Sequence, residues 1–570
     1  MIISQIDTLP ESFKEHIEDP AEQQAVLDEL LEWLNGQTKW MREGHPLVRI
    51  KERFDLSEMV EACQGFHIHE MGKPGQEATY SIEQLSRALL VKRFYGWSYE
   101  KTAQELASQG PVPWFVVLAP YETTISATTL WRFEQWVQKK QPRILFNTIL
   151  KQIDEDFPEE REKMQAGDTY AMVSVVNAQS RSELLRTSCQ NLLDAIESAM
   201  PVVHSMLMPI IDKEAIFGKE KAPKEAWLTI EERKALEVQT ALAAANFLLQ
   251  VERALNGINL SSAVTYADIV LWQSVLDKVL SDEFMLIEDD SAQSPKRQFK
   301  EAKLLTKAQR EKRRQERGGT YRYGSTKELE ATFRNHGKSN DFGCNISIAA
   351  TENFIREIAA ATGATPDATG IPLMLEAQIE NLGTLPPKFV YDRAAGFPIY
   401  FHQVDKVTDG QTQLVAHLIE TGKKKEKELY GPKDFTLDEN GVLTCPAGEQ
   451  TSHAYRSSTS DGWDFRFPAK TCQGCPLLEK CRPDTKPTTR RSVFISDYRY
   501  FQWEAIAYAQ TDEFKVDMKF RAHIERIIAA LVRYNGGRRA TSKGLEAADY
   551  QARMAATAYN LKRWLKLTDE

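Results

Sequence analysis

The stretch Asp168-Thr-Tyr-Ala-Met-Val-Ser-Val-Val-Asn177 decides the fold. It follows Gly167, is rich in β-branched residues, and reads as a strand that opens on a carboxylate. Before it the pattern is helical. Ser81-Ile-Glu-Gln84 is a capping box opening an amphipathic helix through Leu85, Ala88, Leu89 and Lys92, and Gly96 ends it. Ser98 caps Tyr99–Ala107, and Ile125–Gln138 puts Leu130, Phe133 and Val137 on one face. After the strand, residues 181–290 return to helix, as in Glu225–Leu255 and Ala267–Leu280. Strands resume at Phe342–Ala350, Phe354–Ala360 and Lys388-Phe-Val-Tyr-Asp392, with a helix over 371–381 and further strands over Pro398–Val407 and Gln413–Ile419. Helices over Asp512–Asn535 and Ala547–Leu567 close the chain. Strands interrupted by a helical block and a cysteine block describe one α/β domain carrying two insertions, which must leave from surface loops.

At roughly 100–200 residues per domain, 570 residues divide into three to five units. A hydrophobic content of 42% with 27% charged residues is globular and excludes wholesale disorder. Apolar runs such as Pro113–Ala119 and Ile527–Val532 fall far short of the ~20 residues of a membrane span. The opening Met1-Ile-Ile-Ser-Gln-Ile-Asp7 lacks the basic and apolar regions of a secretory signal, so a cytoplasmic location is expected.

The net charge of −9 is unevenly spread. Residues 1–35 hold nine acids against Lys14 and read as a solvated helix with Leu27, Leu30, Leu31 and Leu34 at helical spacing. Residues 296–322 hold eleven bases against Glu301, Glu311 and Glu316. Residues 515–566 hold twelve against Asp517, Glu525, Glu546 and Asp549. Local basic stripes matter more than the total, and they leave a polyanion partner open. The stripe at 296–322 fits a phosphate grip and a solvated helix about equally. The short helices over 80–138 likewise fit a helix-turn-helix-like unit or any small helical bundle.

Cys63, Cys189 and Cys344 are scattered, as small buried thiols are. Cys445-Pro-Ala-Gly448, Cys472-Gln-Gly-Cys475 and Cys481 are different. A CxxC knuckle presents two thiolates from one tight turn, and Cys445 and Cys481 complete four. That is the donor set of a closed tetrahedral zinc site. An iron–sulfur cluster is the competing reading, since sulfur donors alone do not exclude it. A redox pair would need a thioredoxin-like βαβ setting, which the sequence lacks.

Three acids stand out by context. Asp168 opens the first strand of the α/β region, Asp392 ends a short strand, and Glu525 shares a helix face with Arg521 four residues earlier. Two strand carboxylates and one helix carboxylate could converge on a pair of Mg²⁺ or Mn²⁺ ions, with the arginine placed for a phosphate. The chain has 81 acids, however, and spacing alone would leave any one of them on the surface.

These residues together resemble bacterial insertion-sequence DDE transposases, whose catalytic domain is ribonuclease H-like. Ser126-Ala-Thr-Thr-Leu-Trp-Arg132-Phe133 is similar to the element closing the family's N-terminal helical domain. Gly167-Asp168-Thr169 and Phe389-Val-Tyr-Asp392-Arg-Ala-Ala-Gly396 resemble its two aspartate motifs. Arg521-x-x-x-Glu525 resembles its Arg–Glu helix, and Gly536-Gly-Arg538-Arg539 and Asn560-Leu-Lys-Arg563 resemble downstream basic elements. The cysteine segment is similar to an insertion in one branch of the family. Met518 and Val532 stand where the family often has Tyr and Lys, which puts a hairpin-forming step in doubt.

The resemblance implies a mixed ribonuclease H-like sheet over 160–180, 320–430 and 496–570. It implies an acidic helical region over 1–75 and a helix-turn-helix-like DNA-binding unit over 76–150. A helical insertion over 181–319 would end in the basic stripe, and a four-cysteine zinc insertion would span 431–495. Asp168, Asp392 and Glu525 would hold Mg²⁺ or Mn²⁺, Arg521 a phosphate, and Arg132, Arg310, Arg313, Arg314, Arg538 and Arg539 DNA. The expected partner is double-stranded DNA, transposon ends and target, handled by a homodimer at the bacterial nucleoid. A domesticated, inactive DNA-binding regulator and a nuclease of the same fold that does not join strands are the alternatives.

Overall fold

A computed structural model describes residues 44–70, 79–108, 110–118, 124–218, 225–260, 264–289, 298–316, 322–336, 339–419, 429–458, 460–482 and 490–569. The acidic opening over 1–35 and the Met71–Gly75 link lie outside the described residues, as do Lys296, Arg297 and Arg317 of the basic stripe. The chain packs as two compact units, one running to Glu160 and resuming at Arg553, the other Arg161–Ala552.

The first unit is helical. Ser81 forms the expected capping box with Gln84 at the head of the helix Ile82–Tyr95, which ends at Gly96. Ser98 and Ser126 cap the helices Tyr99–Leu106 and Ala127–Lys140. Leu85, Ala88, Leu89, Leu130, Phe133 and Val137 are buried as their spacing requires. So is Glu134, whose Oε2 takes Lys92 Nζ at 2.9 Å and whose Oε1 takes Arg93 Nε at 2.8 Å. Burial pushes the Glu134 carboxyl up, but Arg93 and Lys92 outweigh it and hold it below the ordinary range. From the last helix, Leu545–Asp569, Trp564 Nε1 donates to Asp156 Oδ2 at 2.7 Å within this unit.

The second unit is built on a mixed sheet, and the overall class is α/β. Strand β1 (Gln165–Val173) leads to a helical block with helices Arg181–Ala199, Ile230–Ala254 and Ala267–Glu283. Cys189, Leu192, Ile196, Ala244, Phe247, Val251 and Leu276 fill the core of that block. The sequence reading made the block wholly helical. It also holds a hairpin of β2 (Phe284–Glu288) and β3 (Phe299–Leu304), followed by the helix Lys307–Glu316. Strands β4 (Thr332–His336), β5 (Ser339–Ala350) and β6 (Ile355–Thr362) then return to the sheet. Strands β7 (Lys388–Val390) and β8 (Gln413–Val415) complete it.

β5 runs antiparallel to β1 with Asp168 opposite Ile348, and antiparallel to β4 and β6. β7 runs parallel to β1 with Ala166 beside Val390, and β8 runs parallel to β7. Helix Gly370–Leu382 covers one side of this region, with Ile371, Leu375, Phe389, Tyr391 and Val404 in a common core.

Two expected elements differ. Pro398–Val407 is not a strand but the helix Pro398–Thr408. Its aromatic and β-branched residues favour β structure, yet Pro398 sits at the first helical turn, where its ring is pre-set, and Phe401, Val404 and Thr408 recur at helical spacing on the buried face. The expected helix Asp512–Asn535 is two, Asp512–Phe520 and Ala522–Tyr534, because Ile524 N–H bonds to Arg521 O at 3.1 Å in a tighter turn.

The cysteine block forms two small sheets. β9 (Thr436–Leu437), β10 (Leu443–Thr444) and β11 (Gln450–Thr451) make one, and β12 (Ala454–Arg456), β13 (Gly462–Phe467) and β14 (Arg491–Ser496) the other. Among the described residues, no helix is long and apolar enough to cross a membrane.

Candidate active site

Asp168 and Asp392 are brought together by strand register. The parallel pairing ends at Ala166 beside Val390, and Asp168 and Asp392 each follow it by two residues, near enough for Asp392 to act on the Asp168 carboxyl. Gly167 makes this approach possible. A Cβ there would stand 2.6 Å from the Phe389 ring and 2.9 Å from that of Tyr391, so any larger residue would push β7 away. Asp392 caps the short turn that follows it, accepting from Ala394 N–H at 2.8 Å.

Arg521 closes the group from the other end of the chain. Its Nη2 lies 3.1 Å from Asp168 Oδ2 and 3.7 Å from Glu525 Oε1. The four-residue spacing therefore does put Arg521 and Glu525 side by side, although Arg521 precedes the helix rather than lying within it. Burial works against the Arg521 charge, but Asp168, Asp392 and Glu525 outweigh it and raise its basicity. Asp168 is pushed up, first by burial and further by Asp392, although Thr169 N–H, at 2.8 Å from Oδ1, and Arg521 oppose the shift. Glu525 keeps 64% of its side chain exposed and faces solvent. Among the described residues, no three His, Cys, Asp or Glu side chains stand close enough to hold a metal ion as they are. Asp168 and Glu525 share a guanidinium rather than a ready ligand shell, and Asp392 acts on it only through its charge.

A polar network behind β1 carries no signal in the sequence. Arg334 Nη2 donates to Thr169 Oγ1 at 2.7 Å and reaches Asp367 Oδ1 at 3.3 Å. Asn345 Nδ2 donates to the same oxygen at 2.9 Å, and Tyr391 O–H to Asp367 O at 2.9 Å. Burial would raise the Asp367 carboxyl, but Asn345, Thr169 and Arg334 hold it down. Thr169 and Tyr391 are the strand neighbours of Asp168 and Asp392, so this network ties the two strand ends together from the opposite face.

The arginines expected to meet DNA are distributed. Arg132 is exposed on the helix Ala127–Lys140, beside exposed Trp131. Arg538 donates through Nη1 to Ala171 O at 3.1 Å and through Nη2 to Asp341 at 3.2 Å, which latches the segment after the Glu525 helix to β1. Arg539 is exposed, with its backbone bridged to Val173. In the stripe, Arg310 reaches Glu283 at 3.5 Å. Arg313 Nη1 donates to Ser281 O at 2.7 Å and Phe284 O at 2.9 Å, satisfying carbonyls at the end of the helix Ala267–Glu283. Arg314 lies on the same helix, and its side chain is outside the described residues.

Cys445, Cys472, Cys475 and Cys481 line one pocket together with Tyr430, Phe435, Phe467 and Arg491. Gly474, at φ 80°, makes the left-handed turn inside the CxxC knuckle that few other residues accept. Burial raises the Cys481 thiol, Arg491 opposes the shift, and the other three thiols raise it further. Cys63 and Cys344 are instead buried alone, with thiols pushed up to about 12.

A family model of the transposase DDE domain matches residues 444–565, a span that includes the four cysteines, Arg521 and Glu525. A second, the transposase domain DUF772, matches residues 37–136. No curated protein and no solved structure matches the chain. The two family matches support an insertion-sequence DDE transposase.

Proposed function

We propose that this transposase cuts DNA at transposon ends and joins the freed ends to target DNA, with Asp168, Asp392 and Glu525 as its catalytic carboxylates. The observation that carries the reading is the meeting of Arg521 with Asp168 and Glu525, residues separated by most of the catalytic unit in sequence. A ribonuclease H-like core is supported by the sheet, in which antiparallel β6, β5 and β1 continue into parallel β7 and β8. The donor set is all carboxylate oxygen, which suits Mg²⁺ or Mn²⁺ over softer metals. Such ions, when bound, activate the attacking oxygen and stabilise the leaving one in phosphodiester displacement.

The chain's own residues supply the rest. Asp168 brings one carboxylate from β1, Asp392 a second from just past the end of β7, and Glu525 the third from an exposed helix turn. Arg521 offers a guanidinium to an incoming phosphate, for which a planar fork is well matched. Exposed Arg132 and Arg539, with Arg314, would grip the DNA backbone. The four cysteines would hold a structural zinc. Their soft sulfur donors fit it, and Arg491 lines the same pocket. Two copies would act on two transposon ends.

The deciding experiment uses labelled transposon-end duplex with Mg²⁺ or Mn²⁺ and a target plasmid. Wild type should give both nicked ends and strand-transfer product. Cleavage without transfer would favour the nuclease reading, and binding without cleavage the regulator.

A further inference from the structure

We propose that Arg491 is a positioning residue of the four-cysteine site, donating its Nε–H to one of the four thiolates. The inference rests on the zinc reading of that site and adds a residue outside the ligand set. Four thiolates around one divalent ion would leave excess negative charge, and such charge needs hydrogen bonds or a nearby cation. Among the described residues, Arg491 is the cation that lines this pocket with the four cysteines, and its charge acts on Cys481.

Its placement is set from three directions. On β14, Arg491 pairs with Phe467 of β13, and Phe467 leads through Pro468 directly into the short helix Ala469–Cys472. The strand carrying the arginine is thus locked to the segment carrying the first knuckle cysteine. The guanidinium Nη2 donates to Tyr430 O at 3.1 Å, while Tyr430 N–H donates to Lys480 O at 2.9 Å, next to Cys481. Its flat face lies over the Phe435 ring, with the guanidinium carbon 5.7 Å from the centroid. These contacts spend one amino group and the face. Among the described residues Nε is left buried with no acceptor, and a buried N–H is costly to leave unmade. The pocket offers sulfur.

The test uses the full-length protein loaded with Zn²⁺ or, as a spectroscopic probe, Co²⁺. Wild type, Arg491→Ala, Arg491→Lys and the surface control Arg490→Ala are compared for zinc affinity by chelator competition and for the thiolate-to-cobalt charge-transfer band. Arg491→Ala should weaken zinc binding about 10–100-fold, the usual cost of losing an outer partner. It should also move the band to lower energy, because a sulfur that loses its hydrogen bond gives up electrons more readily. Arg490→Ala should change neither. Arg491→Lys keeps the charge but not the anchored N–H, so it should also shift the band. If Arg491→Ala does not fold, the lysine variant decides. Unchanged affinity and an unmoved band in the folded variants would overturn the role of Arg491. Wild-type protein that takes up no zinc, or carries iron and sulfide, would instead overturn the zinc reading beneath it.

Discussion

Glu134 and Asp168 each meet an arginine, and their charges fare differently. Glu134 is buried against two cations, Lys92 and Arg93, and together they hold its carboxyl below the ordinary range. Asp168 shares a single guanidinium with Glu525 and stands beside Asp392, and it is pushed up despite that contact. The first cluster is one anion with cations to spare and belongs to a helical core. The second is three anions around one cation at a half-open site. A structural cluster is one that has balanced its own charge. A cluster left short of positive charge, with an exposed carboxylate at its rim, attracts cations from outside.

The comparison breaks first at Glu525. Glu525→Gln should abolish cleavage of a transposon-end duplex, while DNA binding and stability stay within about 0.5 kcal/mol of wild type, as for an exposed substitution. Full cleavage by this variant would remove Glu525 from the site. Glu134→Gln should do the reverse. It strips buried Lys92 and half-buried Arg93 of their partner and should cost roughly 3–5 kcal/mol in denaturant unfolding at pH 7. The sign with pH follows from its lowered value. The stability that Glu134 contributes is fully present above the unfolded carboxyl near 4.5 and is lost as pH falls through the lower folded value, so wild type and variant should converge in acid. A gap that persists well below the folded value would mean that the carboxyl acts through packing.

A smaller effect is expected at Arg521. Arg521→Ala should slow cleavage less completely than Glu525→Gln, since it removes phosphate orientation and leaves all three carboxylates in place. Equal loss in both would make the arginine part of the carboxylate scaffold. The smallest effects belong to the basic stripe. Arg313→Ala should lower the stability of the helical insertion by about 0.5–1.5 kcal/mol through its lost carbonyl contacts and leave the salt dependence of DNA binding unchanged. Arg314→Ala should flatten the log–log salt slope by about 0.9 for one lost phosphate contact. If Arg313→Ala flattens it equally, the stripe grips DNA as a whole.

What was legible in the sequence had short-range causes. The Ser81–Gln84 box, the stop at Gly96 and the buried stripe Leu130, Phe133 and Val137 follow from hydrogen bonds and spacing within a few turns. The knuckle Cys472-Gln-Gly-Cys475 folds on itself in the same way. The helix Pro398–Thr408 is not legible in the sequence because its residues suit a strand locally, and only the buried face it presents to its neighbours selects helix. The hairpin of β2 and β3 was missed because its strands alternate poorly: Phe299–Leu304 carries Lys300, Glu301 and Lys303 on a solvent-facing strand.

The amino-acid sequence by itself supplied the candidates for the site: an aspartate after a glycine, which lies fourth in β1, an aspartate two residues past the end of β7, a glutamate four residues after an arginine, and four cysteines in turns. Tertiary structure alone decided how these meet. The parallel register of β1 and β7 sets Asp392 beside Asp168, and the bareness of Gly167 allows it. The path of the chain after 512 returns Arg521 to a carboxylate that precedes it by 353 residues. Arg334, Asp367 and Asn345 behind β1, and Arg491 beside the thiols, have no spacing to announce them. Their partners lie on other strands, and contacts between strands depend on register and burial, which no local pattern encodes.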